Sequence, residues 1–336
     1  MVRPFAIAGR RIGPGEPCFV IAEAGVNHDG DMDKALALID AAAISGADAV
    51  KFQTFTADAL VSPDAPKAAY QERVGAAGES QHAMLKRLEL DEAQHRRLMA
   101  HTAARGLLFL SSPFDVDSAR LLVRLGIAAL KLGSGELTNT PFLAQVSGFR
   151  LPLILSTGMS DLAEIEQALA VCGDCGNPPL ALLHCVSAYP AEPADANLHA
   201  LATISAATRL PIGWSDHCEG AAVTLAAVAL GACIIEKHLT LDRTAAGPDH
   251  AASMEPEAFA AMVEDIRRVE TALGDGVKRP RPAEDEIARV ARKSLMTARP
   301  VKAGAVLVCD DIVVRRPGTG LKPSELCKVL GQRAVR

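Results

Sequence analysis

The chain has 336 residues, 49% apolar, 22% charged and 4% aromatic, which supplies a large core and excludes a disordered protein. Its formal net charge is −5 with no block of like charge, so nucleic acid and anionic membranes are excluded as partners, and an anionic substrate needs a locally basic pocket. No apolar run reaches the roughly 18 to 20 residues that span a bilayer, and the start MVRPFAIAGRRIGPGEP lacks the apolar stretch of a signal peptide; a cytoplasmic protein is expected.

From residue 18 to 273, short β-rich runs alternate with amphipathic stretches, as parallel strands with helical crossovers do. In chain order the runs are CFVIAEA (18–24), AVKFQTF (49–55), LLFLSS (107–112), ALKLGS (129–134), PLILST (152–157), LALLHC (180–185), PIGWS (211–215) and CIIEKH (233–238). Eight such runs specify an α/β fold of the (β/α)8 barrel type. An open doubly wound sheet would carry G-x-G-x-x-G after its first strand, and AEAGVNHDGD does not match it. Between strands, Leu162, Ile165, Leu169 and Cys172 share one helical face, and Phe259, Met262, Val263, Ile266, Val269 and Leu273 form a longer stripe. Asp161 and Asp33 stand where a side chain caps a helix.

The barrel is expected over residues 1–274. Residues 275–290, rich in Gly, Pro and charge, read as a linker, and 291–336 as a small second domain with too few residues for a large core of its own. Eight scattered cysteines in a chain of this size are expected to be reduced thiols; Cys172 and Cys175 have redox-motif spacing but read better as a turn after a helix.

Barrel enzymes place their chemistry at the C-terminal ends of the strands. Here those ends are polar in all eight cases: Glu23 with Asn27 and His28; Lys51 with Gln53; Ser111 and Ser112; Lys131 with Ser134 and Glu136; Ser156 and Thr157; His184 with Ser187 and Tyr189; Ser215 with Asp216 and His217; Glu236 with Lys237 and His238. One or two polar ends simply meet solvent, but eight converging ends must be paired or used. His217 and His238 follow neighbouring strands, so their imidazoles either cap those strands separately or share a cation; with oxygen ligands completing the shell, that cation would be Mn²⁺ or Mg²⁺. Lys51 and Lys131, beside several hydroxyls, could hold a phosphate and a carboxylate, act as structural ion-pair partners, or supply the Schiff-base nucleophile of a metal-free aldolase. Glu23 and Glu136 are general-base candidates, since a carboxylate buried in such a mouth has its pKa raised.

The ordered blocks IAEAGVNHDGD, ADAVKFQTF, APKAAYQ, SSPFD, KLGSGE, LILSTGM, LHCVSAYP, WSDH, EKHLTLDRTAAGPDHAAS and VRRPGTG resemble the sialic acid synthase family, N-acetylneuraminate and legionaminate synthases included. The resemblance covers nearly the whole chain, and the C-terminal part is similar to the antifreeze-like (SAF, β-clip type) module of that family. It implies condensation of phosphoenolpyruvate with an N-acetylated amino sugar, such as N-acetylmannosamine, to give a nine-carbon 2-keto sugar acid and phosphate, with Mn²⁺ or Mg²⁺ assisting and C–O cleavage. Carried over by motif, His217 and His238 hold the metal; Lys51, Ser112, Lys131, Ser134, Ser156 and Ser215 hold phosphoenolpyruvate; Glu23, Gln53, Tyr189 and Asp249 face the sugar. In the mechanism that follows, Glu136 is the choice for positioning or deprotonating the water. Arg316 matches an arginine that enters the partner's active site, which implies a domain-swapped homodimer. Ser187 stands beside the phosphoenolpyruvate site where the family commonly has Asn, and the ending GQRAVR implies that the last turns of the module are missing. A 2,4-diacetamido-2,4,6-trideoxy acceptor fits these blocks as well as N-acetylmannosamine does, and a pseudaminate-type acceptor fits less well. Outside the class, a catalytically inactive sugar-binding barrel is the rival, against which the intact set of Lys, Glu and His argues.

Overall fold

The computed structural model describes residues 5–62, 65 and 80–335; the APKAAYQ block, Ala65 apart, lies outside them. Two short strands, β1 (Phe5–Ile7) and β2 (Arg10–Ile12), form an antiparallel hairpin whose turn places Ala8 and Gly9 at positive φ. Eight parallel strands follow: β3 (Phe19–Gly25), β4 (Ala49–Thr54), β5 (Leu108–Pro113), β6 (Leu130–Leu132), β7 (Leu153–Ser156), β8 (Leu180–Cys185), β9 (Ile212–Asp216) and β10 (Ile234–His238). Each pairs with its neighbours in the order β5-β4-β3-β10-β9-β8-β7-β6, and β5 and β6 lie side by side at the seam, making the expected (β/α)8 barrel.

Two apolar layers hold it. Outward strand residues, among them Val20, Val50, Leu130, Leu153, Leu182, Trp214 and Ile235, pack against helix residues such as Leu38, Leu98, Leu122, Phe142, Ile165, Ile204 and Phe259. Inside the barrel, at the start of the strands, Phe19, Ile21, Leu110, Ile154, Leu183 and Ile234 cluster with Ile7 and Ile12, so the hairpin stoppers that end. Each such side chain contributes about 1.5–3 kcal/mol by leaving water. Apolar packing thus fills the barrel's lower half and leaves its upper mouth for polar groups.

The helix Leu162–Asp174 opens with the expected cap: the Asp161 carboxylate accepts from Glu164 N at 2.9 Å, and Glu164 Oε2 accepts from Asp161 N at 3.0 Å. At Met32–Ile44 the capping residue is Asp31, not Asp33; Asp31 Oδ1 accepts from the backbone N–H of Asp33, which puts Asp33 inside the first turn. The helix Pro256–Leu273 buries Phe259, Met262, Val263 and Ile266, while Leu273, its last residue, is exposed. Cys175 caps the helix Leu162–Asp174 and is exposed, and all eight cysteines are unpaired.

The chain divides into Met1–Leu273 and Gly274–Arg336. The segment expected as a linker is partly folded: Pro282–Glu284 makes a 3₁₀ turn and Asp285–Ala291 a helix, with Asp285 and Glu286 in its first turn where the helix dipole favours them. In the second unit β11 (Ser294–Thr297) pairs antiparallel with β12 (Ile312–Arg315), which fits the small antifreeze-like module. No helix among the described residues is long and apolar enough to cross a membrane.

Gly213 shows how tight the barrel is. A Cβ there would meet the carbonyl oxygen of Ile234 and lie 2.6 Å from Leu183 Cδ2, whereas one on Gly173, in a helix, meets nothing within 4 Å. Gly213→Ala should therefore cost about 1–3 kcal/mol, and Gly173→Ala should be neutral or gain roughly 0.5–1 kcal/mol, read by chemical denaturation.

Candidate active site

At the C-terminal mouth of the barrel lies a cavity of about 380 Å³. Every site residue expected from the sequence within Met1–Leu273 lines it except Glu136. The period-2 alternation of the strands brings them together. Glu236 and His238 of β10 point inward and Lys237 outward; Ser215 points inward from β9, and His217 follows two residues later.

The floor is a chain of buried charges. Lys51 Nζ lies 2.6 Å from Glu23 Oε2 and 3.7 Å from Glu236 Oε2, and Lys131 Nζ lies 3.0 Å from Glu236 Oε1. Lys51 also donates to Ser112 Oγ, and Ser215 Oγ donates to Glu236, both at 3.0 Å. Burial opposes the Lys51 ammonium, yet Glu23 and Glu236 together hold its pKa above the ordinary value. Burial likewise opposes the Glu236 carboxylate, but Lys131 and Lys51 pull it down to about 2. For Glu23 burial wins: with one lysine beside it and Glu236 competing for that lysine, it is pushed up to about 7. Two carboxylates in one cavity are thus tuned apart.

Glu236 was assigned no role by sequence reading, although its sequence position relative to His238 carried the signal: residues two apart on a strand share a face. Around Gly158, Ser187 Oγ, Cys185 Sγ and Ser134 Oγ stand 2.5, 2.7 and 2.8 Å from where a Cβ would sit, so only glycine lets these three groups close in on the backbone here. Ser156 Oγ is buried without a protein partner.

The imidazoles of His217 and His238 line the same cavity. His217 Nδ1 donates to the Val186 carbonyl at 2.7 Å, which fixes its proton on Nδ1 and leaves Nε2 as the lone-pair nitrogen. The rings of His217 and His238 are 5.6 Å apart, and Tyr189 packs at 4.3 Å from His217 and edge-on to His238. Burial lowers the pKa of both histidines, that of His238 strongly, with His217 and Lys51 adding to it, so both are neutral donors. Asp249 Oδ2 is 3.8 Å from His238 Nδ1, and burial raises its carboxyl to about 6. Among the described residues no group of three or more His, Cys, Asp or Glu is disposed to hold a metal. Two neutral imidazoles with open space in front of them fit a cation whose remaining ligands are water and substrate oxygens.

An apolar wall faces this floor. Val26, Leu60, Val61, Met84, Leu85 and Leu88 come from the loop after β3 and from the segments around the short helices Ala57–Leu60 and Gln81–Lys86 between β4 and β5. Sequence reading missed it, because these helices are too short to show a period.

A family model described as the NeuB family matches residues 38–278. The chain belongs to the NeuB family, the sialic acid synthases. It is 46% identical over 320 residues to the N,N'-diacetyllegionaminic acid synthase of Legionella pneumophila, covering 94% of this chain and 90% of that one. To the enzyme of the same name from Campylobacter jejuni it is 43% identical, covering 94% and 96%. The crystal structure of an N-acetylneuraminic acid synthetase from Leptospira borgpetersenii, in complex with citrate, superposes with a TM-score of 0.75 at 37% identity, over 85% of this chain and 95% of that one. The protein is a transferase-type enzyme of this family.

Within this synthase, several polar strand-end residues do not face the cavity. Asn27 Nδ2 donates to the Leu239 carbonyl and to Ser253 Oγ, both at 2.9 Å, and Ser253 Oγ donates to the Asp249 carbonyl at 2.6 Å, so Asn27 fastens the loop that carries Asp249. His184 turns to the Ala196 carbonyl and against Trp214. Glu136 sits half-buried in the 3₁₀ turn Ser134–Glu136, where its Oε2 accepts from Asn139 Nδ2 at 2.7 Å; burial raises its pKa, but it does not line the cavity. Arg316 is exposed in the second unit, just after β12.

His28 is buried as well; its Nδ1 accepts from Gly30 N at 3.0 Å and its Nε2 has no protein partner. Burial pushes its imidazole down to about 4, against the pull of Asp29. The unfolded chain takes up this proton near pH 6.5 and the folded one only near 4, so the stability it contributes is complete above 6.5 and is lost as pH falls from 6.5 toward 4, by up to about 3 kcal/mol. His28→Asn keeps an acceptor for Gly30 N and should flatten this acid loss when urea midpoints at pH 7.5 and 4.5 are compared. Equal losses in both proteins would assign the sensitivity to other groups.

Proposed function

We propose that the enzyme condenses phosphoenolpyruvate with an N-acetylated amino sugar and water, releasing phosphate and a nine-carbon 2-keto sugar acid. The observation that carries this reading is the single cavity in which the Lys51–Glu236–Lys131 array faces two neutral imidazoles. Two ammonium groups ringed by serine hydroxyls suit a phosphate and a carboxylate on one small molecule. Ser112, Ser134, Ser156, Ser187 and Ser215 line the same cavity, Ser112 bonded to Lys51 and Ser215 to Glu236. The Lys51 ammonium, paired with two carboxylates, is held protonated and is a poor imine-forming nucleophile, which speaks against the Schiff-base route.

A divalent cation, Mn²⁺ or Mg²⁺, held by His217 and His238 would act as a Lewis acid on the sugar's aldehyde oxygen. The chain's own groups do the rest. The lysines hold phosphoenolpyruvate with its C3 toward the aldehyde carbon; C3 forms the new C–C bond, and the positive charge that develops at C2 lies near the Glu236 carboxylate. Water adds at C2, and the resulting tetrahedral centre expels phosphate by C–O cleavage. Glu23, buried in the cavity and poised near neutral pH, is the group placed to take the water's proton. Glu136 takes that role only if its turn moves inward.

For the acceptor we favour a 2,4-diacetamido-2,4,6-trideoxy sugar of legionaminate type over N-acetylmannosamine. The apolar wall suits the methyl groups that a 6-deoxy, doubly acetylated sugar carries, and relatives at 46% and 43% identity are N,N'-diacetyllegionaminic acid synthases. Arg316, exposed on the small unit, is proposed to complete the sugar site of a partner protomer in a domain-swapped homodimer.

Phosphate release from phosphoenolpyruvate with Mn²⁺ should require an N-acetylated hexosamine, prefer the diacetamido acceptor, and stop with EDTA. Release with no sugar in the panel would sink the synthase reading, and EDTA-resistant turnover would remove the cation. Glu236→Gln should lower kcat by about 100-fold, since it leaves both lysines and the C2 charge without their carboxylate. Gly158→Ala, whose Cβ would push Ser187, Cys185 and Ser134 aside, should raise the KM for phosphoenolpyruvate at least about tenfold and cost about 1–3 kcal/mol by chemical denaturation; an unchanged KM would place phosphoenolpyruvate elsewhere.

A further inference from the structure

One buried ion pair lies outside the cavity. Asp216 and Lys237 point away from it, into the largely apolar layer between barrel and helices, with side chains 0% and 2% exposed and Nζ 2.9 Å from Oδ2. They are direct partners on neighbouring strands, Lys237 opposite Asp216 and Glu236 opposite Ser215. Lys237 Nζ also donates to the Cys218 carbonyl at 2.5 Å, while Asp216 accepts from Thr224 Oγ1 at 2.5 Å and from Cys218 N at 2.9 Å. Two charges buried this way are seldom better for stability than an apolar pair of the same shape, because desolvation offsets their attraction. Stability therefore does not explain the pair.

Its position does. The β9–β10 ladder ends at the rung Lys237–Asp216. Beyond that rung His217 is fastened toward β8, by Val186 O and by Ala191 N on its carbonyl. His238 is fastened toward β3, as the register partner of Glu23, and its carbonyl accepts from Met254 N. The two imidazoles thus belong to separate backbone blocks, and the clasp of Lys237 on Asp216 and on Cys218 O joins those blocks next to both histidines in the chain.

We propose that Asp216 and Lys237 are positioning residues that set the spacing and tilt of His217 and His238, and so the affinity of that pair for a divalent cation. The proposal rests on the reading that the two imidazoles share a cation. It predicts a loss of metal binding that is separable from a loss of fold.

The test uses the full chain with Mn²⁺ alone, its binding followed by electron paramagnetic resonance, beside Tm and steady-state kinetics. Lys237→Met leaves a buried carboxylate uncompensated and should lower the Tm markedly. Combining it with Asp216→Asn, whose Oδ1 still accepts from Cys218 N and whose Nδ2 can donate to Thr224 Oγ1, neutralises the pair and should restore most of the Tm. The double variant should still bind Mn²⁺ at least about tenfold more weakly and lose a similar factor in kcat, with the KM for phosphoenolpyruvate nearly unchanged, because the lysine side of the cavity is untouched. Native Mn²⁺ affinity in a double variant of native Tm overturns the proposal. Should the double variant not fold, Thr224→Val, which removes one hydrogen bond to Asp216, is the second probe: Mn²⁺ binding weakened severalfold supports the clasp, and unchanged binding overturns it. A wild-type protein that binds no Mn²⁺ overturns the cation reading and this proposal with it, whereas wild-type binding matched by the variants overturns only the proposal.

Discussion

A strand in a closed parallel barrel offers each residue only two directions, the interior or the helix layer, and this alternation is the constraint on which the molecule depends. At the N-terminal ends the interior direction is apolar and filled, down to the glycine at 213 that lets Ile234 and Leu183 close over it. At the C-terminal ends it is polar and open. A one-residue step decides the outcome: Glu236 and His238 meet the cavity, and Lys237 between them meets Asp216 in the helix layer.

The same constraint explains how carboxylates so close together differ. Glu236 stands between two lysines and is held ionised; Glu23 has one lysine, shared with Glu236, and burial lifts it toward neutrality. One is suited to stabilise positive charge, the other to accept a proton. Neither property belongs to the residue type. Both follow from which strand each occupies and how many ammonium groups that strand brings within reach.

Much of this was legible in the sequence, and the limits have physical causes. Eight β-rich runs with polar ends were enough for the barrel, and the residues on those ends were enough for the cavity floor, because strand period and strand order convert sequence directly into position. Glu236 was named among the polar ends but left without a role, since only the structure shows Lys51 and Lys131 converging on it. Glu136 follows the same run as Lys131 and read as its equal, yet the 3₁₀ turn at Ser134–Glu136 rotates it toward Asn139. The cap at Asp31 rather than Asp33, and the helix Asp285–Ala291 inside a charged Pro-rich stretch, turned on single backbone hydrogen bonds and a first-turn charge pattern that composition does not resolve.

The same division separates what the fold determines from what it leaves variable. Floor residues ride on strands, where a shift would break a ladder and expose the core, so the chemistry of the charged floor is bound to the barrel itself. The apolar wall rides on the short helices Ala57–Leu60 and Gln81–Lys86, in a β4-to-β5 connection that no sheet register controls. Leu60, Val61, Met84 and Leu85 can change without disturbing a strand. Reaction class and acceptor choice are therefore carried by different parts of the chain. Strand-end motifs disclose the first, whereas the second, on the proposed function, would rest with a few apolar side chains in a crossover segment.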